Sequence, residues 1–526
     1  MRRSAGSCWR EARSALVAAG RSKGGPLEIL PVEAVARDGA IEVAWAGGPV
    51  GGEIRLVIPK DKKKLWSPEA PFLYDLSVTL RQGGATLDKV ESYFGLRKID
   101  LAKDPQGLTR IRLNGRFLFQ VGPLDQGFWP DGLYTAPTDE ALRWDIEITK
   151  RLGFNMARKH VKVEPERWYY WCDKLGLLVW QDMPSARNRT PESQQQFQTE
   201  LRRMVDGLSN HPSIVMWVVF NEGWGQHDTE RYVELVKKID PSRLVNNASG
   251  WTDRGVGDVV DMHKYPGPGA PPPEPNRAGV LGEFGGLGLG TDGHTWAKKT
   301  WGYRGMASRD ELTRRYGRLL QGVWGLHQTQ GLSAAVYTQI TDVETECNGL
   351  LTYDRAVVKV DQAKVLDANE GRVPAIVVVV PTSQQQPIRW RYTFDNPGDN
   401  WYRPEFDDSS WKEGPGGFGR EKTPGAVIRT PWTSADIWLR RSFDLPVVPR
   451  EGLSLLVHHD EDVEIYINGE PAAQAADYTT AYEELPISPA ALAMLRRGKN
   501  LLAVHCRQTK GGQYVDVGMI REEQRK

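Results

Sequence analysis

The most constraining stretch of this chain runs from Asn210 to Glu222. It reads Asn-His-Pro-Ser, then Ile214-Val215-Met216-Trp217-Val218-Val219-Phe220, then Asn221-Glu222. Seven apolar residues rich in Val and Ile, without polar alternation, fit a strand covered on both faces, as in a parallel sheet inside a shell of helices. Folds of that kind gather their chemistry at the carboxyl ends of the strands, and Glu222 stands at such an end. A second acid has the same setting. Gly279-Val280-Leu281-Gly282-Glu283-Phe284-Gly285-Gly286 reads as a short strand closing on Glu283, with glycines beyond it that allow close approach of a ligand or of another backbone. One Glu after a strand is ordinarily a solvated loop residue; two at two strand ends suggest a pair working on one bond. Trp217 and Trp224 flank Asn221-Glu222, and aromatic faces beside carboxyls suit a sugar.

The surrounding sequence, from about Leu101 to Asp367, alternates strand and helix patterns. Phe117–Val121, Asn155–Arg158, Leu177–Trp180 and Ile214–Phe220 read as strands one to four. Leu244–Asn246, Val259–His263, Val280–Gly282 and Ala334–Tyr337 read as five to eight. Phe197, Leu201, Met204, Val205 and Leu208 share one helical face, and Ser308 with Glu311 forms a capping box opening a long helix. Strand and helix repeated eight times is the arithmetic of a TIM barrel, (β/α)8, with its site at the carboxyl mouth. Arg158 and His160 end strand two, Asp182 ends strand three, and His263 with Tyr265 ends strand six, so all converge there with the two acids. The segment from Tyr265 to Arg277 holds six prolines, and is stiff enough to wall one side of a cleft.

A chain of 526 residues has room for about three domains. Ahead of the barrel, residues 27–100 alternate with the period of half-buried strands at Ile41–Trp45, Ile54–Ile58 and Tyr74–Leu80, with turns at Gly47-Gly48 and Gly83-Gly84. Residues 1–26 make a poor signal peptide, because Arg10, Glu11 and Arg13 interrupt the short apolar patch, and are read as a disordered leader. Behind the barrel, 368–387 reads as a linker and 388–526 as a further β-sandwich.

Basic and acidic residues balance, 68 against 67, which points away from nucleic acid and from an anionic membrane surface. No apolar run approaches a membrane span. Nineteen Trp mostly serve cores, with some available for stacking on a pyranose. Four scattered cysteines without CxxC indicate neither a zinc knuckle nor a disulfide framework. HExxH, GxSxG and a Walker lysine are absent, so no cofactor and no metal is expected. Compartment and oligomeric state stay open.

Gly153-Phe154-Asn155-Met156-Ala157-Arg158, Trp171–Trp180, the Asn210–Glu222 stretch and Gly282-Glu283-Phe284-Gly285 together resemble the family 2 glycoside hydrolases, which include β-galactosidases, β-glucuronidases and β-mannosidases. Lys64–Glu69 and the strands after it are similar to the end of that family's immunoglobulin-like sandwich. Four later segments, 406–411, 438–443, 463–469 and 500–504, resemble a galactose-binding-like jelly roll, with Trp401, Trp411 and Trp432 as stacking faces or as core.

The resemblance implies that Glu222 is general acid and base and Glu283 the nucleophile of a retaining mechanism. It further implies that Asn221 holds the sugar 2-hydroxyl, that Tyr265 lies against the nucleophile and that Arg158 keeps it ionised, with carboxyls about 5–5.5 Å apart. His160, Asp182, Trp224 and His263 complete the expected substrate-binding set. Arg158-Lys159-His160 is one residue shorter than the galactosidases' Arg-x-x-His, and Gln181-Asp182-Met183-Pro184 stands where they carry Asp-Glu. Both departures bear on which sugar is read. The family's amino-terminal sugar-binding sandwich is not found ahead of Leu27. The implied activity is that of an exo-β-glycosidase acting on an oligosaccharide or glycoside. A β-galactosidase is the first expectation, and a β-glucuronidase or another β-hexosidase or pentosidase the second. A carbohydrate-binding protein that lost turnover is the alternative of another class.

Overall fold

The computed structural model describes residues 31–449 and 452–523, so the expected leader lies outside the described residues. The chain divides into two compact units, residues 1–372 and 373–526.

The first unit holds eight parallel strands: Gln120–Asp125, Met156–Lys159, Leu178–Asp182, Ile214–Val218, Leu244–Asn246, Val259–Lys264, Ala278–Gly285 and Ala334–Thr338. In this numbering, strands five, four, three, two, one, eight, seven and six follow one another by backbone pairing. The seam between five and six is closed differently. Val245 and Asp258 exchange bonds, the Val245 N–H donating to the Asp258 carboxylate and the Asp258 N–H to the Val245 carbonyl, while Asp261 accepts from Asn246 Nδ2.

Strand four is buried along its whole length because its two faces serve two cores. Val215, Met216 and Val218 fill the barrel interior beside Met156, Leu178 and Trp180. Ile214 and Trp217 point outward among Phe197, Leu201, Met204 and Val205 of the covering helix. Trp217 is therefore not a sugar face: it is 0% exposed, and its indole N–H donates to Asp240.

Six helices cover the barrel: α1 Asp139–Arg151, α2 Glu166–Leu175, α3 Pro191–Leu208, α4 Thr229–Ile239, α5 Arg309–Gln330 and α6 Gln362–Asn369. The eightfold strand–helix repeat is thus incomplete. Among the described residues, the connections from strand five to six and from six to seven carry no helix. Positive φ at Gly250, Gly255 and Gly257 breaks the first, and prolines without amide donors forbid helix in the second. At the start of α5, Ser308 Oγ accepts the Glu311 N–H, but Glu311 reaches back to the N–H of Ala307 instead of Ser308. Strand one begins later than its apolar pattern suggested, since Arg116–Phe117 belongs to a small sheet with Ile99–Lys103 and Thr109–Leu113.

Ahead of the barrel, Pro31–Asp38, Ile41–Pro49, Tyr74–Gln82 and Ala85–Phe94 form an antiparallel sheet over Ala34, Ala36, Val43, Leu76 and Phe94. Gly83 and Gly84 both take positive φ in the two-residue hairpin between the last two strands, as a primed turn requires. Gly47 and Gly48 lie within a strand instead, and the turn falls at Val50–Gly52. The expected strand Ile54–Ile58 keeps its alternation, Ile54, Leu56 and Ile58 packing on the sheet, but joins no ladder.

The second unit is a sandwich of two six-stranded sheets whose inner faces share one core, including Trp390, Ile437, Leu455, Ile465, Val504 and Val517. Ala375–Val380, expected within the 368–387 linker, is a strand paired with Tyr514–Glu523. Trp432 is wholly buried in the shared core, and Trp401 packs with Trp438, Tyr466 and Trp411 in a second cluster. Neither Trp401 nor Trp432 offers a free stacking face.

Candidate active site

Strand four delivers Glu222 through a strained turn. The Ser249 N–H donates to Phe220 O and the Glu222 N–H to Ser249 O, both at 2.8 Å, so the chain after the strand is still tied to its neighbour. Glu222 then takes φ of 53°, a left-handed conformation uncommon outside glycine, and Gly223 follows at 80°. Such strain is held where surrounding contacts impose it, and here it lifts the carboxyl over the mouth. Glu283 arrives within strand seven, where the register slips against both neighbouring strands. Gly282 makes this possible. A Cβ at that position would stand 2.3 Å from one Asp261 oxygen and 2.5 Å from Ser249 Oγ.

Arg158 organises the floor. Its Nε and Nη2 donate to the two oxygens of Asp182 at 3.1 and 2.9 Å, Nη2 also to Asn221 Oδ1 at 2.8 Å, and Nη1 to Glu283 Oε1 at 3.2 Å and Gly282 O at 3.1 Å. On the other side of Glu283, the Tyr265 hydroxyl lies 2.5 Å from Glu283 Oε2 and 2.8 Å from Thr338 Oγ1. His263 Nδ1 stands between the acids, 2.8 Å from Glu222 Oε1 and 3.5 Å from Glu283 Oε2. Oxygens of the two carboxyls and this nitrogen all lie within 4.8 Å of one another. It is the one such group of acids and histidine among the described residues; as placed, His263 bonds Glu222, while Glu283 stands 3.5 Å from the same nitrogen. Asn221 Nδ2 donates to His160 Nε2 at 3.3 Å, and His160 stands 3.7 Å from Glu283 Oε1.

The two acids sit in different surroundings. Burial raises the Glu283 carboxyl; the charges of His263 and Arg158 and the Tyr265 hydroxyl oppose that shift without cancelling it. Glu222 is more open, with its side chain 21% exposed against 7% for Glu283. Burial would lower His263, but the charge of Glu283, the hydrogen bond to Glu222 and the charge of Asp261 reverse this, and the net shift is upward. His160 goes the other way: burial, then Arg158 and His263, hold it well below the usual histidine range and keep it neutral. Tyr265 is held protonated by burial and by Glu283.

Of the nine residues expected at the mouth, Glu222, Glu283, Asn221, Arg158, His160, Asp182, His263 and Tyr265 form one connected network. Trp224 stands on the turn after Glu222 with its side chain turned out, 61% exposed. Asp182 and Arg158 are not free to read a sugar as expected. Both are buried and spend their polar atoms on each other, on Asn221 and on Glu283. Sequence reading missed Ser249, Asp261, Thr338, Tyr303 and Glu346. Asp261 alternates with His263 on strand six, a signal that could have found it. Tyr303, whose ring stacks on Tyr265 at 3.7 Å between centroids, comes from a patternless loop. Glu346 is raised by burial and by the charge of Glu283, and no local motif announces it.

A parallel barrel with two converging carboxyls at its mouth is the architecture of the sugar-cleaving barrel hydrolases. Residues 135–265 match the family described as "Glycosyl hydrolases family 2, TIM barrel domain", and residues 37–97 match "Glycosyl hydrolases family 2". Over these two stretches the chain is similar to the family 2 glycosyl hydrolases. It is 32% identical to a β-galactosidase of Lactococcus lactis over 40% of this chain and 21% of that one. To a putative β-glucuronidase of Formosa agariphila it is 29% identical over 36% and 18%. The matched region thus spans about a fifth of these relatives' length. Among solved structures, the fold is shared with an FMN-binding β-glucuronidase from Facaelibacterium prausnitzii (TM-score 0.53, 17% identity, 88% of this chain and 66% of that one). It is shared too with a β-galacturonidase from Eisenbergiella tayi (TM-score 0.51, 20% identity, 65% and 67%).

Proposed function

We propose that this chain is a retaining exo-β-glycosidase that removes a terminal β-linked sugar from an oligosaccharide or glycoside, and that it acts on galactoside-like substrates. The observation that carries the reading is the pair Glu222 and Glu283, with oxygens within 4.8 Å and unlike partners. Two carboxyls that close reach one anomeric centre, and the short spacing leaves no room for a water between them, as retention requires.

Glu283 is the nucleophile. Arg158 and His263 supply the positive charge that favours its carboxylate against burial, and Tyr265 donates to the oxygen that attacks. Glu222 protonates the leaving oxygen, then takes the proton of the water that releases the sugar. Asn221, with Oδ1 held by Arg158, holds the sugar 2-hydroxyl. His160 and Trp224 border the sugar, while Asp182 holds Arg158 in place.

The galactoside reading is placed first because several of the relatives are β-galactosidases. The β-glucuronidase reading is kept as the second, since one relative and several structures of the same fold bear that name. A panel of nitrophenyl β-glycosides, galactoside and glucuronide included, decides between them. Release from the galactoside that disappears in Glu222→Gln and Glu283→Gln supports the first reading. Glycoside binding by calorimetry without release from any substrate would leave a binding protein.

A further inference from the structure

The hydrogen bonds around His263 account for every proton but one. Asp261 Oδ2 accepts from Asn246 Nδ2 and from Ser249 Oγ, each at 2.7 Å, and Oδ1 accepts from the Gly282 N–H at 2.8 Å. Three donors on one carboxyl leave it acting as a carboxylate. Ser249 has a single hydroxyl proton, and it goes to Asp261. Ser249 Oγ also lies 2.7 Å from His263 Nε2, so at that contact the oxygen accepts and Nε2 carries the hydrogen. The Arg158 Nη1 contact to Nε2, at 3.5 Å, then brings together two donors and is no bond. The ring's other nitrogen is left 2.8 Å from Glu222 Oε1, a distance that needs a proton between them.

We propose, building on the glycosidase reading, that Asp261 and Ser249 fix His263 as a positioning residue whose Nδ1 stores the proton that Glu222 delivers. At rest the ring is a cation donating to the Glu222 carboxylate. As the leaving oxygen departs, the proton passes from Nδ1 to Glu222 and from Glu222 to that oxygen, leaving a neutral ring with Nε2–H. When water attacks the glycosyl-enzyme, its proton returns to Glu222 and then to Nδ1, so the cycle closes without a net change.

The groups facing the ring are consistent with this. Glu222 from the end of strand four, Glu283 from strand seven and Asp261 from its own strand are acids favouring the cation, while Arg158 of strand two opposes it. His160, also on strand two, is held neutral. Trp251 sets its ring edge-on to His263 at 5.7 Å and adds no charge.

The test compares wild type, His263→Gln and Ser249→Ala on two aryl glycosides: dinitrophenyl, which leaves without acid help, and phenyl, which needs it. In His263→Gln the alkaline limb of kcat/KM for the phenyl glycoside moves to lower pH by about one unit or more, about tenfold at a fixed pH above it. The dinitrophenyl glycoside loses less than the phenyl one, its loss being the charge that His263 lends to Glu283, and its alkaline limb does not move. Ser249→Ala shifts the limb in the same direction by less. Equal losses on both substrates with an unmoved limb would overturn the proposal. A second measurement needs no turnover: nitrogen NMR of histidine-labelled protein, with His263 assigned by the Gln variant. Both ring nitrogens protonated at pH 7, and a downward shift of that titration in Glu222→Gln, uphold it. A neutral ring at pH 7, or a titration indifferent to Glu222, would sink it even if the glycosidase reading stands.

Discussion

The two ends of strand four bury charge to a similar degree and put it to opposite uses. At the amino end, Asp173 of α2 accepts from His211 Nδ1 at 2.7 Å, the Tyr93 hydroxyl at 2.9 Å and the Ser213 N–H at 2.8 Å. Arg97 donates to the carbonyls of Pro212, Ile214 and Ser242, and Arg243 to those of Ser209, His211 and Ile214 as well as to Asp240. At the carboxyl end, Arg158 serves side-chain acids that face one another across an opening. Perturbed titration does not separate the two ends, for burial and the charge of Arg243 lower Arg97 to about 9. What separates them is the partner. Backbone carbonyls complete the lower cluster and make it a clamp, whereas the upper one keeps two carboxyls within reach of a common point.

Substitutions at each end can break this contrast. The largest expected effect is that of Glu283→Gln, which lowers kcat about a thousandfold or more with secondary structure intact by circular dichroism. The same variant should resist heat better than wild type at neutral pH. Because Glu283 is raised in the fold, its contribution to stability is fully present below the unfolded carboxyl value and is lost as pH rises through the folded one, and an amide has no such loss. Calorimetry at pH 7 and pH 4 checks the sign, the gain shrinking at the lower pH.

Asp173→Ala is the counterpart below. Removing one partner of a buried ionic cluster costs about 3–5 kcal/mol, read as a lower urea midpoint, while kcat of the folded fraction stays near wild type. Loss of turnover without loss of stability would break the comparison. Arg158→Gln removes a cation that keeps Glu283 ionised, so the acid limb of kcat/KM moves to higher pH, by about one unit or more. A limb that stays or moves down would show that Arg158 only packs the floor. Trp224→Ala should change least, raising KM by about two- to fivefold with kcat held, as expected for an exposed face at the rim.

Much of this was readable in the chain. Strand four had to be a doubly covered strand because seven consecutive apolar residues leave no polar face, and its acid end had to open at a barrel mouth. The alternation at 54–58 marked burial correctly but said nothing of pairing, since a period of two describes which side chains point inward and not whether a neighbouring strand supplies hydrogen bonds. The missing helices after strands five and six were hidden for a similar reason: strand spacing is compatible with a loop or a helix between.

By itself, then, the sequence determined the barrel, the positions of the two acids and the strand ends that supply their neighbours, because periodicity and strand-end placement are local properties of a chain. Only the tertiary structure decided that Trp217 faces helices, that Asp182 is consumed by Arg158, and that Ser249 and Asp261 dictate which nitrogen of His263 meets Glu222. Those outcomes depend on which donors and acceptors from distant segments come within about 3 Å of each other, and no local pattern encodes that.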